Sequence, residues 1–322
     1  MNMTKVPFSR VLDALQDSST AFPRKYLKNF SDLGPEDIKA LMAVWDQIPT
    51  ARKHLLVKDL EKLGADDTLI SLEAFARAML DDPDAQVRLY AIRMLWETSD
   101  PRLAATLIRI MQEDHSEEVR GEAASVLGRF VYLGELEEIS PQLLKDVEDA
   151  LIAAAQQDEH RLAKRFAVEA LGYSSRPEVS AIIKNACSQR DPQWVASALF
   201  AMGRSADPDQ WQDDVLYSLD HDSIEIRLAA VEAAGELSLE AARPALLEAL
   251  DTEDNDETYR AIIWSLSQIG GEDVQIVLYN LADATQDDDL AEFIEEALEN
   301  LTFTDDLERY DLLAVDPDEP EE

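Results

Sequence analysis

The chain has 322 residues, 46% of them apolar, and sets 29 Lys and Arg against 67 Asp and Glu for a formal charge of −38. That apolar content builds a core, whereas the charge repels phosphate backbones and argues against a nucleic-acid ligand. A single cysteine, Cys187, excludes a disulfide framework and a cysteine-based metal site, and no apolar run approaches the roughly eighteen residues that a membrane-spanning helix needs.

The N-terminal stretch Met1 to Asp17 carries no apolar core of a secretion signal, so a reducing, cytoplasmic setting is expected. Charge is unevenly spread. Residues 1–62 hold ten basic and eight acidic side chains, whereas residues 283–322 hold seventeen acids against Arg309 alone. Such asymmetry suits a basic partner or a highly soluble surface.

In chain order, Val6–Gln16, Pro35–Asp46 and Thr50–Leu63 show amphipathic helical spacing. Asp32 or Gly34 ahead of Pro35-Glu36-Asp37 is a helix start. Residues 1–68 are therefore expected to form a helical cap on the rest of the chain.

A repeat then begins. The line DPDAQVRLYAIRMLW at 82–96 returns as DHSEEVRGEAASVLG at 114–128, DEHRLAKRFAVEALG at 158–172 and HDSIEIRLAAVEAAG at 221–235. Weaker copies lie at 189–203 and 257–270. The anchors Leu95, Leu127, Leu171, Met202, Ala234 and Ile269 are 32, 44, 31, 32 and 35 residues apart. Apolar or small residues four and eight positions earlier, such as Ala91 and Val87 or Ala123 and Val119, put one face of a helix inward. First helices of each pair are predicted at Leu69–Leu80, Pro101–Met111, Pro141–Ala155, Pro177–Cys187, Pro208–Leu219 and Arg243–Leu250. Asp100-Pro101, Ser140-Pro141 and Asp207-Pro208 supply cap and first-turn proline, and Asp82-Pro83 and Asp191-Pro192 are read as opening second helices. Gly128, Gly172, Gly203 and Gly235 are read as helix stops that tolerate positive φ.

The wide spacing marks an insertion at Arg129–Ser140, either a binding element on one rim or a longer turn or helix. Glu272–Ala282 and Asp289–Leu301 make the last pair. Residues 302–322 are an acidic tail, in which Phe303, Leu307, Tyr310, Leu312 and Leu313 can fold back and the final DPDEPEE is expected to be disordered.

The Asp…Val-Arg-x-x-Ala-x-x-x-Leu-Gly line, as in Asp114, Val119, Arg120, Ala123, Leu127 and Gly128, resembles the HEAT-repeat family, particularly the short repeats also found in phycobilin lyases. The resemblance covers residues 69–301. It implies an all-α fold: a right-handed α-solenoid, or superhelix, of about six stacked helix pairs plus a C-terminal cap pair. Lys164 replaces the Arg of the line, and Val195 and Ile262 stand where it is lost. The recurrent Arg88, Arg120 and Arg227, with nearby Asp82, Asp114 and Asp222, read as an inter-repeat ladder of ion pairs and helix-end contacts.

No catalytic constellation stands out, and no cofactor or metal is expected. His54, His115, His160 and His221 form no His-Glu pair of the kind that iron-binding HEAT hydroxylases use. The loop Asp251–Glu257 lacks the glycine and terminal carboxylate of a calcium loop, Asp287-Asp288-Asp289 suits a helix start, and Cys187 ends an apolar stripe. What remains is a surface. In stacks of this type the second helices line the concave face, which places Tyr90, Arg93, Glu122, Ser125, Phe166, Glu169, Glu232 and Trp264 near it, with Trp96 at a glycine position. Aromatic side chains beside acids suit a protein partner with a basic segment. The expected function is a non-catalytic protein-binding scaffold. The alternative that the resemblance implies is a phycobilin-lyase-like protein handling a linear tetrapyrrole.

Overall fold

In the computed structural model, which describes residues 6–311, every regular element is helical. The fold is an all-α solenoid-type stack of helix pairs. The chain divides after Ala170 into two compact units. None of the helices among the described residues is long and apolar enough to cross a membrane.

The first unit opens with α1 (Phe8–Gln16), a 3-10 turn over Arg24–Phe30, α2 (Pro35–Trp45) and α3 (Thr50–Asp66). Pairs follow as α4 (Glu73–Met79) with α5 (Ala85–Arg93), α6 (Pro101–Glu113) with α7 (Glu117–Glu135), and α8 (Pro141–Gln157) with α9 (Arg161–Ala170). The second unit has a 3-10 turn at Leu171–Tyr173 and four pairs. These are α10 (Pro177–Cys187) with α11 (Pro192–Arg204), α12 (Pro208–Ser218) with α13 (Ile224–Glu236), α14 (Arg243–Ala249) with α15 (Asp256–Ile269), and α16 (Glu272–Ala284) with α17 (Asp288–Asp311). Within each unit the second helices lie side by side: α3, α5, α7 and α9 in the first, and α11, α13, α15 and α17 in the second.

Caps start the helices where the sequence places them. Asp100, Ser140, Asp191, Asp207 and Asn255 each accept a hydrogen bond from a backbone N–H of the first turn, and proline follows the first four. One expected start moves: Asp84, not Asp82, caps α5 by accepting from the Gln86 and Val87 N–H groups. Asp82 is buried instead, taking the indole N–H of Trp45 and lying 3.7 Å from the Lys53 ammonium. The first helix of that pair begins at Glu73 rather than Leu69, whose side chain is 88% exposed. Residues 129–135 of the insertion extend α7 and residues 136–140 connect it to α8, and helix α17 runs past Leu301 to Asp311. Leu312, Leu313 and the side chains of Leu307 and Tyr310, expected to fold back, lie outside the described residues, as does the final DPDEPEE.

The anchor residues are core. Leu95, Ala91 and Val87 are buried, as are Leu127, Ala123 and Val119, and Ala234, Ala230 and Ile226. The glycines expected to stop helices do not stop them. The only glycines with positive φ among the described residues are Gly270 and Gly271. Gly128, Gly203 and Gly235 lie inside α7, α11 and α13, and Gly172 lies in the 3-10 turn. They are small because the next inner helix is close. A Cβ on Gly128 would sit 3.1 Å from Ala170 Cα, one on Gly203 3.0 Å from Ala233 Cα, and one on Gly235 2.8 Å from Ser265 Cα. The stops are made by non-glycine residues in the left-handed region, one turn on at Ala206 (φ 50°) and Ser238 (φ 48°) and more than two turns on at Glu137 (φ 60°). Around Glu137 and Ser238 the backbone closes paired bonds, Glu138 N–H to Leu133 O at 2.8 Å and Leu239 N–H to Ala234 O at 2.9 Å.

The recurrent cations stitch neighbouring pairs. Arg88 of α5 grips Asp114 in the next pair's turn with two 2.7 Å bonds and donates to the Asp82 carbonyl. Arg120 donates through Nη2 to Asp158 and through Nη1 to the Gln112 carbonyl, and Arg227 holds Glu253 with two bonds and donates to the His221 carbonyl. Each acid also takes a backbone N–H two residues on, from Ser116, His160 or Asn255. Lys53 with Asp82 is a further rung, and the Asp82 carboxylate takes the Asp84 N–H in the same way. Burial alone would raise the Asp114 carboxyl, yet the Arg88 guanidinium and the Ser116 N–H bring it below its ordinary value. The Arg227 bond, working against burial, does the same for Glu253.

Candidate interaction site

The inner-helix faces differ between the units. In the first, Tyr90, Arg93 and Glu122 satisfy one another. Arg93 donates to Glu122 at 2.9 Å and lies 5.6 Å from the Tyr90 ring centroid, so cation, acid and aromatic are already matched. Phe166 of α9 packs over Gly121 of α7, where a Cβ would come within 2.5 Å of its ring. Glu169 lies 4.0 Å from Arg165 one turn earlier, and Ser125 is exposed. Trp96 follows the end of α5, 61% exposed, beside a cavity of about 90 Å³ that Arg93 and Leu72 also border.

In the second unit, Glu232 and Trp264 meet in one pocket of about 420 Å³. Its walls come from the inner helices. The 3-10 turn gives Tyr173; α11 gives Phe200 and Arg204; α13 gives Glu232 and Glu236. Helix α15 adds Glu257, Arg260, Trp264 and Gln268, and α17 adds Phe293. The spacings are helical: Phe200/Arg204 and Glu232/Glu236 stand four apart, and Glu257, Arg260 and Trp264 fall on one stripe. Close approach at Gly203 and Gly235 brings the stripes within reach of each other.

Cations already sit on three of the four aromatic rings. Arg204 lies 3.9 Å from the Phe200 centroid and 4.9 Å from that of Tyr173, and Arg260 lies 5.2 Å from that of Phe293. Trp264 tilts against Phe293 at 6.3 Å and is 38% exposed. Glu232 keeps solvent contact, but burial of its carboxyl, with the like charges of Glu257 and Glu236, pushes its pKa up. No ion pair to Glu232, Glu236 or Glu257 occurs among the described residues.

The residues taken from positions two and five before the anchors include Glu232 and Trp264 and leave out the rest of the wall. Phe200 stands two before its anchor, as Glu232 does, and Arg204 and Glu236 stand two after theirs, one turn further on the same face. Reading both offsets recovers three more residues. Glu257, Arg260 and Phe293 need the lateral register between helices, which spacing within one helix does not contain.

No activated nucleophile is assembled here among the described residues. Cys187 has its thiol pushed up by burial and by Asp214, the reverse of what a reactive thiolate needs. The loop Asp251–Glu257 is structural: Glu253 holds Arg227 and Asn255 caps α15. Asp287 accepts the Asp289 and Leu290 N–H groups at the start of α17.

A profile of HEAT repeats matches residues 72–149 and 213–299, just over half of the chain. The unmatched stretch between them holds Lys164 and Val195, where the repeat line departs from its pattern. No curated protein matches. Among solved structures, the complex of CpcE and CpcF of phycocyanin lyase from Nostoc sp. is similar, with a TM-score of 0.51 and 17% identity over 84% of this chain and 95% of that chain. Importin beta gives a TM-score of 0.47 at 11% identity, over 92% of this chain and 47% of that chain. Human deoxyhypusine hydroxylase gives 0.35 at 17%, over 81% and 95%.

Proposed function

The chain belongs to the HEAT-repeat family, and from that premise we propose that it is a non-catalytic interaction module that docks a protein partner on the inner-helix face of its second unit. The observation that carries this reading is the pocket of α11, α13, α15 and α17, where an exposed Trp264 adjoins carboxylates with no ion-pair partner among the described residues. An aromatic ring in a concave site supplies apolar area at low entropic cost, and uncompensated charge supplies selectivity. A stack of similar fold is seen as a complex of CpcE and CpcF in phycocyanin lyase.

That likeness also keeps a linear tetrapyrrole as the second ligand. The pocket's charge works against it, because three carboxylates face two guanidiniums and a bilin brings carboxylates of its own. Mixing the full chain with a bilin separates the two readings: saturable change in visible absorbance supports the tetrapyrrole, and an unchanged spectrum supports the protein partner.

Affinity capture from native lysate tests the docking reading. The full chain should retain a stoichiometric partner that Trp264→Ala with Glu232→Lys loses, while Tyr217→Ala, on the exposed face of α12, keeps it. Equal recovery by the pocket variant, at unchanged thermal unfolding, overturns the site.

A further inference from the structure

The pocket carries an imbalance that specifies what enters it. Glu232, Glu236 and Glu257 face Arg204 and Arg260, which leaves one negative charge uncompensated inside the wall. Both arginines are spent on aromatic faces, Arg204 on Phe200 and Tyr173 and Arg260 on Phe293. The rings of this pocket thus already act as cation seats. Trp264 is the ring left over: it is partly exposed, carries no cation among the described residues, and stands on the same α15 stripe as Glu257.

We infer that the pocket takes one basic side chain of a partner segment, a lysine or an arginine, seated on the Trp264 face with its charge balanced by Glu232 and Glu257. The inference rests on the docking reading and narrows it to a cationic anchor. Trp is the strongest neutral partner for a cation among the aromatic side chains, and the gain grows when the pair is withdrawn from water. The 420 Å³ pocket has room for an extended side chain with its alkyl stem against the ring. Burial and the neighbouring acids raise the Glu232 carboxyl, and an entering cation relieves that repulsion. Charge alone keeps anionic segments out.

The test uses small probes on the full chain, read through the Trp264 indole N–H resonance, assigned with Trp264→Phe. Butylammonium and butylguanidinium should shift that resonance saturably, binding about fivefold or more tightly than butanol, as a cation seated on an aromatic face requires. Butyrate should be weakest. Glu232→Gln with Glu257→Gln should erase the preference for the cations while leaving the butanol response in place. Equal affinity for butanol overturns the inference in favour of a merely apolar pocket, and tighter binding of butyrate overturns it in favour of an anion site on Arg204 and Arg260. Neither result touches the docking reading, which fails only when partner capture survives the Trp264→Ala, Glu232→Lys variant.

Discussion

Gly235→Ala is a sharp test of how the inner helices meet. Alanine is a better helix former than glycine by about 1 kcal/mol, so in an isolated helix the change stabilises. Gly235 lies within α13, not at a stop, and its missing Cβ leaves room for residues of α15. An added Cβ would stand 2.8 Å from the Ser265 backbone Cα and 2.7 Å from the Ser265 Oγ. That hydroxyl is buried and donates to the Val231 carbonyl at 2.8 Å, so it has no free direction to retreat. Overpacking of this kind costs about 1–3 kcal/mol. Set against the gain in propensity, the net change is a loss of up to about 2 kcal/mol. Gly64→Ala in α3 is the internal control, since its new Cβ meets only the flexible end of Leu72 at 3.3 Å and should stabilise by about 0.5–1 kcal/mol. Urea unfolding followed by circular dichroism measures both. Gly235→Ala stabilising the chain as Gly64→Ala does would refute the close approach of α13 and α15.

Other outcomes follow from the same geometry. Ser238→Gly and Glu137→Gly should each raise stability by about 1 kcal/mol, because both residues are held at positive φ and both are exposed; unchanged denaturation midpoints would contradict the strained stops. Arg88→Ala should cost about 3 kcal/mol by leaving the buried Asp114 carboxylate without its guanidinium. Arg102→Ala, which removes an exposed cation from Asp100, should change the urea midpoint little. Asp114 and Glu253 have folded-state pKa values below their unfolded ones. Their contribution is therefore complete above the ordinary carboxylate range of about 4 and is lost as pH falls through and below it. Urea midpoints taken from pH 6 to pH 3 should drop over that interval, less steeply in Asp114→Asn, and equal slopes in the two chains would contradict the assignment.

The helix pairs were legible where they announce their own boundaries: Asp or Ser before Pro at 100–101, 140–141, 191–192 and 207–208 is local chemistry that tertiary packing did not override. The Arg ladder was legible for the same reason, since its carbonyl partner lies six to eight residues away in sequence. The glycines were misread because two different demands select the same residue, a positive φ and a near neighbour, and only the position of the next helix tells them apart. Asp82 and Asp84 posed a similar tie: both are acids two residues apart before a helix, and burial against Trp45 and Lys53 decides which one caps. Of the nine residues placed on the inner face, Tyr90, Arg93 and Glu122 neutralise each other, and only Glu232 and Trp264 share the pocket of the second unit. Their difference lies in a neighbouring cation, Arg93 being present in one unit and no ion-pair partner being found for Glu232 among the described residues of the other. Within-helix spacing does not carry that fact.

Site-specific photocross-linking reads docking of a partner at the second unit's inner face most directly. A photoreactive amino acid at Trp264 should join the full chain to the captured partner, at a partner segment carrying lysine or arginine. The same group at Trp96, on the first unit, should give no such product. A cross-link formed from Trp96 and absent from Trp264 would contradict the account.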